Sequence, residues 1–166
     1  MKLLEQVYVD PQDAAVTVAE EAISITLQPA GAIGPMGPQG PAATITTDTL
    51  TYTTASIEAG AIENNAVALG KTTLLSRIVT TQPARIRLYA TSALRDADVA
   101  RPIGTLPSGN HGLLFEAVTT YAMLDLYISP AVAMYSATSQ VAISITNMHN
   151  ASAQIAVSMT RTQLEA

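Results

Sequence analysis

Apolar and polar side chains alternate with a period of two along much of this 166-residue chain, the spacing that turns one face of a strand toward a core and the other toward water. In ARIRLYA, residues 84–90, the alternation sends Ala84, Ile86, Leu88 and Ala90 inward and Arg85, Arg87 and Tyr89 outward. Val141, Ile143 and Ile145 repeat the pattern, and so do Ile155, Val157 and Met159 beyond the turn NMHNAS. The last two runs read as a hairpin with one apolar face. Strands are expected over 73–80, 84–91, 113–119, 123–129, 132–135, 140–147 and 153–162, and no helical pattern of ten residues competes with them. Seven or eight strands at this spacing predict an all-β fold with a C-terminal β-sandwich, jelly-roll-like, over 66–166.

The first 30 residues carry three shorter alternating runs, at 3–9, 15–19 and 22–27. So small a sheet cannot bury its apolar face alone and needs copies of itself or another protein. The stretch GAIGPMGPQGPA follows, with glycine at Gly31, Gly34, Gly37 and Gly40 and proline after the last three. Glycine at every third position is what a triple helix demands, because three polyproline-II chains meet on an axis with no room for a Cβ atom. The prolines pre-set φ and lower the entropy lost on ordering. At about 3.1 Å per residue the tract makes a collagen-like stalk of roughly 37 Å, too short to hold three chains without clamping domains. Residues 43–65 are threonine-rich with few large side chains, and are expected to be a connector with one strand at 50–57.

Composition narrows the function. Hydrophobic residues make up 48% of the chain, but many are alanine, and the aromatics are six tyrosines and one phenylalanine. A thin core follows, with subunit contacts expected to supplement it. There is no cysteine, hence neither a disulfide nor a thiol nucleophile. The formal charge is −5, and no basic cluster marks a nucleic-acid surface. Residues 126–160 lack Asp, Glu, Lys and Arg, yet polar residues interrupt the apolar ones too often for a membrane helix. The opening residues show no continuous apolar run of the signal-peptide kind, so synthesis in a cytosol is expected.

Candidate chemistry is sparse. Asp96 and Asp98 stand in RDADVAR, residues 95–101, where Asp-x-Asp can offer oxygens to Ca²⁺. The alternative is ion pairing with Arg95, Arg101 or the arginines of the preceding strand, and this is the preferred reading. Ser108 and His111 share a loop, with Asp125 or Glu116 to orient the histidine, but no nucleophile-elbow sequence accompanies them. His149 sits in a turn beside two asparagines. Tyr52, Tyr89, Tyr121, Tyr127 and Tyr135 are candidates for stacking on sugar rings, with subunit packing as the competing role. Ligand or interface residues are therefore sought among Tyr89, Arg85, Arg87, Asp96, Asp98 and Tyr127. No catalytic residue, metal site or cofactor is expected.

Two stretches carry a resemblance. AISITLQPAGAIGPMGPQGPA at 22–42 looks like the junction of strand and collagen repeat in collagen-repeat virion proteins of tailed bacteriophages. ARIRLYATSALRDADVARPIG at 84–104, followed by HGLLFEAVT at 111–119, is similar to a sandwich domain of phage tail-associated chains. The resemblance implies a homotrimer without turnover, incorporated into the virion as a fibre or appendage of tail, neck or baseplate. Residues 1–30 would anchor it to other virion proteins, while the sandwich faces outward to neighbouring proteins or to a host surface glycan. Alternatives are a glycan-binding adhesin on the same trimeric scaffold, a spike-type hydrolase, and a bacterial surface head of the complement or tumour-necrosis-factor type.

Overall fold

The computed structural model describes residues 45–165 together with two short strands, β1 (Ala15–Val16) and β2 (Ile25–Thr26). These two pair antiparallel, Ala15 opposite Thr26 and Val16 opposite Ile25, within two of the runs expected near the N-terminus. The strand expected at 3–9 and the glycines Gly31, Gly34, Gly37 and Gly40 lie outside the described residues. The chain divides between Pro41 and Ala42 into two units.

The second unit is a β-sandwich. Its strands are β3 (Thr46–Ile57), β4 (Ile62–Ala68), β5 (Thr72–Thr80), β6 (Ala84–Tyr89), β7 (Leu113–Val118), β8 (Asp125–Tyr135), β9 (Gln140–Asn147) and β10 (Ala153–Glu165), with one helix, α1 (Ser92–Asp98), after β6. One sheet has the order β3-β10-β5-β8 and the other β4-β9-β6-β7. All pairings are antiparallel and nested: β3 pairs with β10, β4 with β9, β5 with β8 and β6 with β7. Two further pairings, β5 with β10 and β6 with β9, complete the sheets.

The core is the space between the sheets. Ile86, Leu88, Val141, Ile143 and Ile145 from one sheet meet Leu75, Ile78, Ile155, Val157 and Met159 from the other, all of them buried. Alternation along each strand supplies these residues, as expected from a period of two. Arg161 joins the sheets at one end, donating from Nη1 to the carbonyl of Ala68 at 2.8 Å and from Nε to Asp48 Oδ1 at 2.8 Å.

Four expectations change. β9 and β10 are not a hairpin: each hydrogen-bonds within a different sheet, and their apolar faces oppose one another across the core. Alternation identifies the face a strand buries, while leaving open which neighbour supplies its hydrogen bonds. The stretch read as a connector provides β3 and β4, each an edge strand; half-exposed edges take small side chains, which is why this stretch resembles a linker. Residues 123–129 and 132–135 form one strand, β8, running through Pro130, because an edge strand can lose a backbone donor without loss to the sheet. Finally, the crossover after β6 contains seven helical residues, with Thr91 Oγ1 accepting from the amide of Leu94 at 3.3 Å as N-cap.

The seam between β9 and β10 should dominate stability. Ile143→Ala is expected to cost roughly 2–5 kcal/mol through lost burial and a residual cavity, against less than about 1 kcal/mol for Ile62→Ala on the exposed edge. Denaturant titration of the two variants measures the difference.

Candidate functional site

Strand β6 is buried on both of its faces. Ala84, Ile86 and Leu88 point into the sandwich, as the alternation requires. Arg85, Arg87 and Tyr89 point to the opposite side of the sheet, expected to meet solvent, and they too are buried. The cover is the crossover of residues 91–112, and its attachments are polar.

Arg87 closes the helix. Its Nη1 donates to the carbonyl of Asp98, which also accepts from the amide of Arg101, and its Nη2 to that of Val99, each at 3.0 Å, so it serves two carbonyls at the end of α1 that have no partner within the helix. Arg101 donates from Nε to both carboxylate oxygens of Asp98 at 2.9 Å, and from Nη2 to Glu116 Oε2 at 2.6 Å. Arg85 holds the other oxygen of Glu116 from Nε at 2.6 Å and reaches the carbonyl of Arg101 from Nη1, also at 2.6 Å. Tyr89 donates its hydroxyl to Asp98 Oδ2 at 2.6 Å.

Three guanidinium groups thus face two carboxylates in a largely buried site. Burial would raise the carboxyl of Asp98, but the hydrogen bonds from Tyr89 and Arg101 outweigh it and hold the group below its ordinary range. Glu116 is lowered in the same way, with burial opposed by Arg101 and Arg85. Burial raises Tyr89, and its bond to the Asp98 carboxylate adds to the shift. Burial lowers Arg87, whose Nε has no partner. Both carboxylates are therefore charged, and Tyr89 neutral, throughout the range where proton transfer would be useful. The arrangement is a clamp that fastens the crossover to the sheet.

Of the residues sought as ligand or interface positions, Arg85, Arg87, Tyr89 and Asp98 come together in this clamp. Asp96 does not join them: it faces solvent and pairs with Arg95, Nη2 to Oδ1 at 2.7 Å. Among the described residues no group of three or more His, Asp or Glu side chains is placed to hold a metal. Tyr127 lies on the other sheet, 75% exposed, with the Arg77 guanidinium 4.7 Å from its ring centroid. Arg77 also donates to Asp125 from Nε at 2.8 Å and from Nη2 at 2.5 Å. The loop around Ser108 positions His111 by itself, the ring accepting at Nδ1 from the amide of Leu113 at 3.0 Å.

An exposed apolar surface beside β7 was not anticipated from sequence. One cavity of about 290 Å³ lies between Ile103, Leu106, Pro107, Val118 and the Arg101–Glu116 pair. A second, of about 180 Å³, is lined by Pro83, Val118, Thr120, Tyr121 and Met148. Val118 borders both. Around them Leu106 is 86% exposed and Tyr121 63%, and the Tyr121 ring meets the edge of His149 at 5.6 Å between centroids. No single motif could have announced this patch, since it gathers four separate loops and one strand edge. No protein-family model matches the chain, and no curated protein is significantly similar to it.

The clamp gives a pH signature. Because Asp98 and Glu116 are lowered in the folded state, their ion pairs contribute in full only above the unfolded carboxylate range, from about pH 5 upward, and are lost as pH falls through the folded values. Asp98→Ala, which leaves buried guanidinium charge uncompensated, is expected to cost roughly 3–5 kcal/mol at pH 7. Its thermal midpoint should then fall less than that of the parent chain between pH 7 and pH 3, as differential scanning calorimetry would show.

Proposed function

We propose that this chain is a homotrimeric structural protein of a bacteriophage particle, a fibre or appendage whose sandwich is a jelly roll displayed at the end of a short collagen-like stalk. The observation that carries the reading is the conjunction of glycine at Gly31, Gly34, Gly37 and Gly40 with a nested eight-strand sandwich that begins at Thr46. Pairing of first strand with last, second with seventh, third with sixth and fourth with fifth is the order a folded-over hairpin of eight strands produces, and this supports the jelly roll. A triple helix needs three chains, and a head of about 120 residues following directly on the tract supplies the clamp that so short a stalk requires. Residues 1–30 are the anchoring segment in this reading, joined to other virion proteins by strand pairing or trimer contacts.

The clamped crossover suits a structural part. It stiffens one face of the sheet with ion pairs that stay charged at neutral pH, and it frames the apolar patch beside β7. That patch is the surface we assign to assembly contacts or host attachment, since contiguous exposed apolar side chains mark interaction sites. The expected mass in solution is roughly 52 kDa, three times the 17.3 kDa chain, by light scattering of the full chain. Replacing Gly34 and Gly37 together by alanine should remove the melting step of the stalk, because a Cβ atom cannot fit at the triple-helix axis. A monomer indifferent to both substitutions would overturn the reading.

A glycan-binding adhesin on the same scaffold is the second reading, favoured by one observation: Tyr121 stands exposed beside a cavity, with His149 holding its edge. Such a ring can stack on a sugar face. Saturable binding to host polysaccharide, weakened at least about tenfold by Tyr121→Ala, is its expected result on a glycan array. Binding equal in parent and variant would exclude this site.

A further inference from the structure

The strands of the sandwich and the crossover of residues 91–112 are held by different forces. The strands meet in the apolar seam, where Ile143, Ile145, Ile155 and Val157 are fully buried. In the crossover not one apolar residue is buried: Leu94, Val99 and Pro107 are half-buried, and Ile103 and Leu106 are exposed. Beneath it lie Arg85, Arg87 and Tyr89 of β6, all buried. Ser144 of β9 stands opposite Arg87 and accepts from its Nη2 at 3.3 Å, and it is buried as well. We infer that the crossover is a latched cover that opens as a unit while the sandwich stays folded, bringing Arg85, Arg87, Tyr89 and Ser144 into solvent.

The latch is polar throughout. Arg85 and Arg87 hold the carbonyls of Arg101, Asp98 and Val99, Tyr89 holds Asp98, and Arg101 holds Glu116. Farther along the helix, Arg95 donates from Nη1 to the carbonyl of Asn65 on β4 at 2.7 Å. Every one of these groups finds water when the cover lifts, so each bond contributes little to keeping it closed. The ion pairs follow the same rule, because desolvation offsets their attraction. Closure also leaves Arg87 Nε buried without a partner, a penalty that opening relieves. The packing of Leu94 on Gly112, where there is no room for a Cβ atom, is internal to the crossover and travels with it. Segments with few buried apolar contacts are the ones that open below the global unfolding limit. The clamp therefore fixes where the cover rests more strongly than it holds it there.

The ends of the crossover permit the motion. Tyr89 and Leu113 are paired in the β6-β7 ladder, and just beyond them the amide of Ala90 donates to the carbonyl of Gly112 at 2.9 Å. The segment leaves the sheet and returns to it at one neck. Gly112 stands there with φ at 56°, a backbone conformation that glycine adopts without strain. β6 keeps β7 on one side and β9 on the other, so lifting residues 91–112 breaks no strand pairing.

Since the chain contains no cysteine, single thiols report the opening. In the full-length chain, Ser144→Cys places a thiol under the cover and Val141→Cys places one in the core, on the opposite face of the same strand. Asn64→Cys on β4 supplies an exposed reference. The three variants are treated with a maleimide in the absence of denaturant. The thiol at position 144 is expected to react at least about tenfold more slowly than that at 64 and at least about tenfold faster than that at 141. Any loosening of the core by Val141→Cys speeds labelling at 141 and works against this order. Arg101→Gln, which removes the pairs to Asp98 and Glu116, should speed labelling at 144 by at least about tenfold and leave 141 unchanged. Equal rates at 144 and 141 would overturn the inference, since the face would then be reached only by unfolding. Equal rates at 144 and 64 would overturn it too, because no closed cover would exist. A rate at 144 indifferent to Arg101→Gln would refute the latch. Ala142→Cys, buried on the same face of β9 and without a bond to Arg87, repeats each measurement independently of Ser144.

Discussion

The apolar seam between the sheets is the contact on which everything else in the sandwich depends. Ile143 and Ile145 on β9 lie against Ile155, Val157 and Met159 on β10, and the strands on either side extend the seam with Leu75, Ile78, Ile86 and Leu88. β-Branched and unbranched aliphatics of similar size interdigitate well at the spacing of stacked sheets. With one phenylalanine and no tryptophan in the chain, the aromatics packed against the seam, Tyr52 and Phe115, are only partly buried. A thin seam of this kind leaves the outer faces of the sheets to be stabilised by other means.

The two faces solve that problem differently. Over β6 the chain folds back on itself, and the cover is held by guanidinium groups that serve carboxylates and backbone carbonyls together. Buried ion pairs of this sort contribute little net stability, because desolvation offsets their attraction. Their geometry is demanding, so they select one position for the crossover among many that an apolar contact would tolerate. The same rigidity shapes the cavity beside Arg101 and Glu116. On the other sheet, hydroxyls pair between β3 and β10, and Arg77 and Asp125 neutralise one another.

Much of the strand pattern was legible. The runs at 140–147 and 84–90 map closely onto β9 and β6, since their alternation is regular and their apolar members are large. β3 and β4 were harder to read, because a strand at a sheet edge needs few large side chains and its threonines look like those of a linker. The pairing of β9 and β10 was misread for a different reason: proximity along the chain favours a hairpin, and only the full set of hydrogen bonds shows that the turn between them crosses from one sheet to the other. Among the candidate residues, Asp98 was correctly associated with Arg101 and with the arginines of β6, since opposite charges so close along the chain find one another in most folds.

Residue type and spacing by themselves determined that this protein is built from strands, that its core is aliphatic and thin, and that the glycines Gly31 to Gly40 follow a triplet rule. These are local properties: the period of a pattern and the room beside a Cα atom do not depend on distant residues. Which side of β6 is covered, which strands share a sheet, and how Ile103, Leu106, Val118 and Tyr121 become neighbours were decided only by tertiary structure. Each depends on segments far apart in the chain meeting in space, and the free energy of such a meeting belongs to the pair, so neither segment carries it alone.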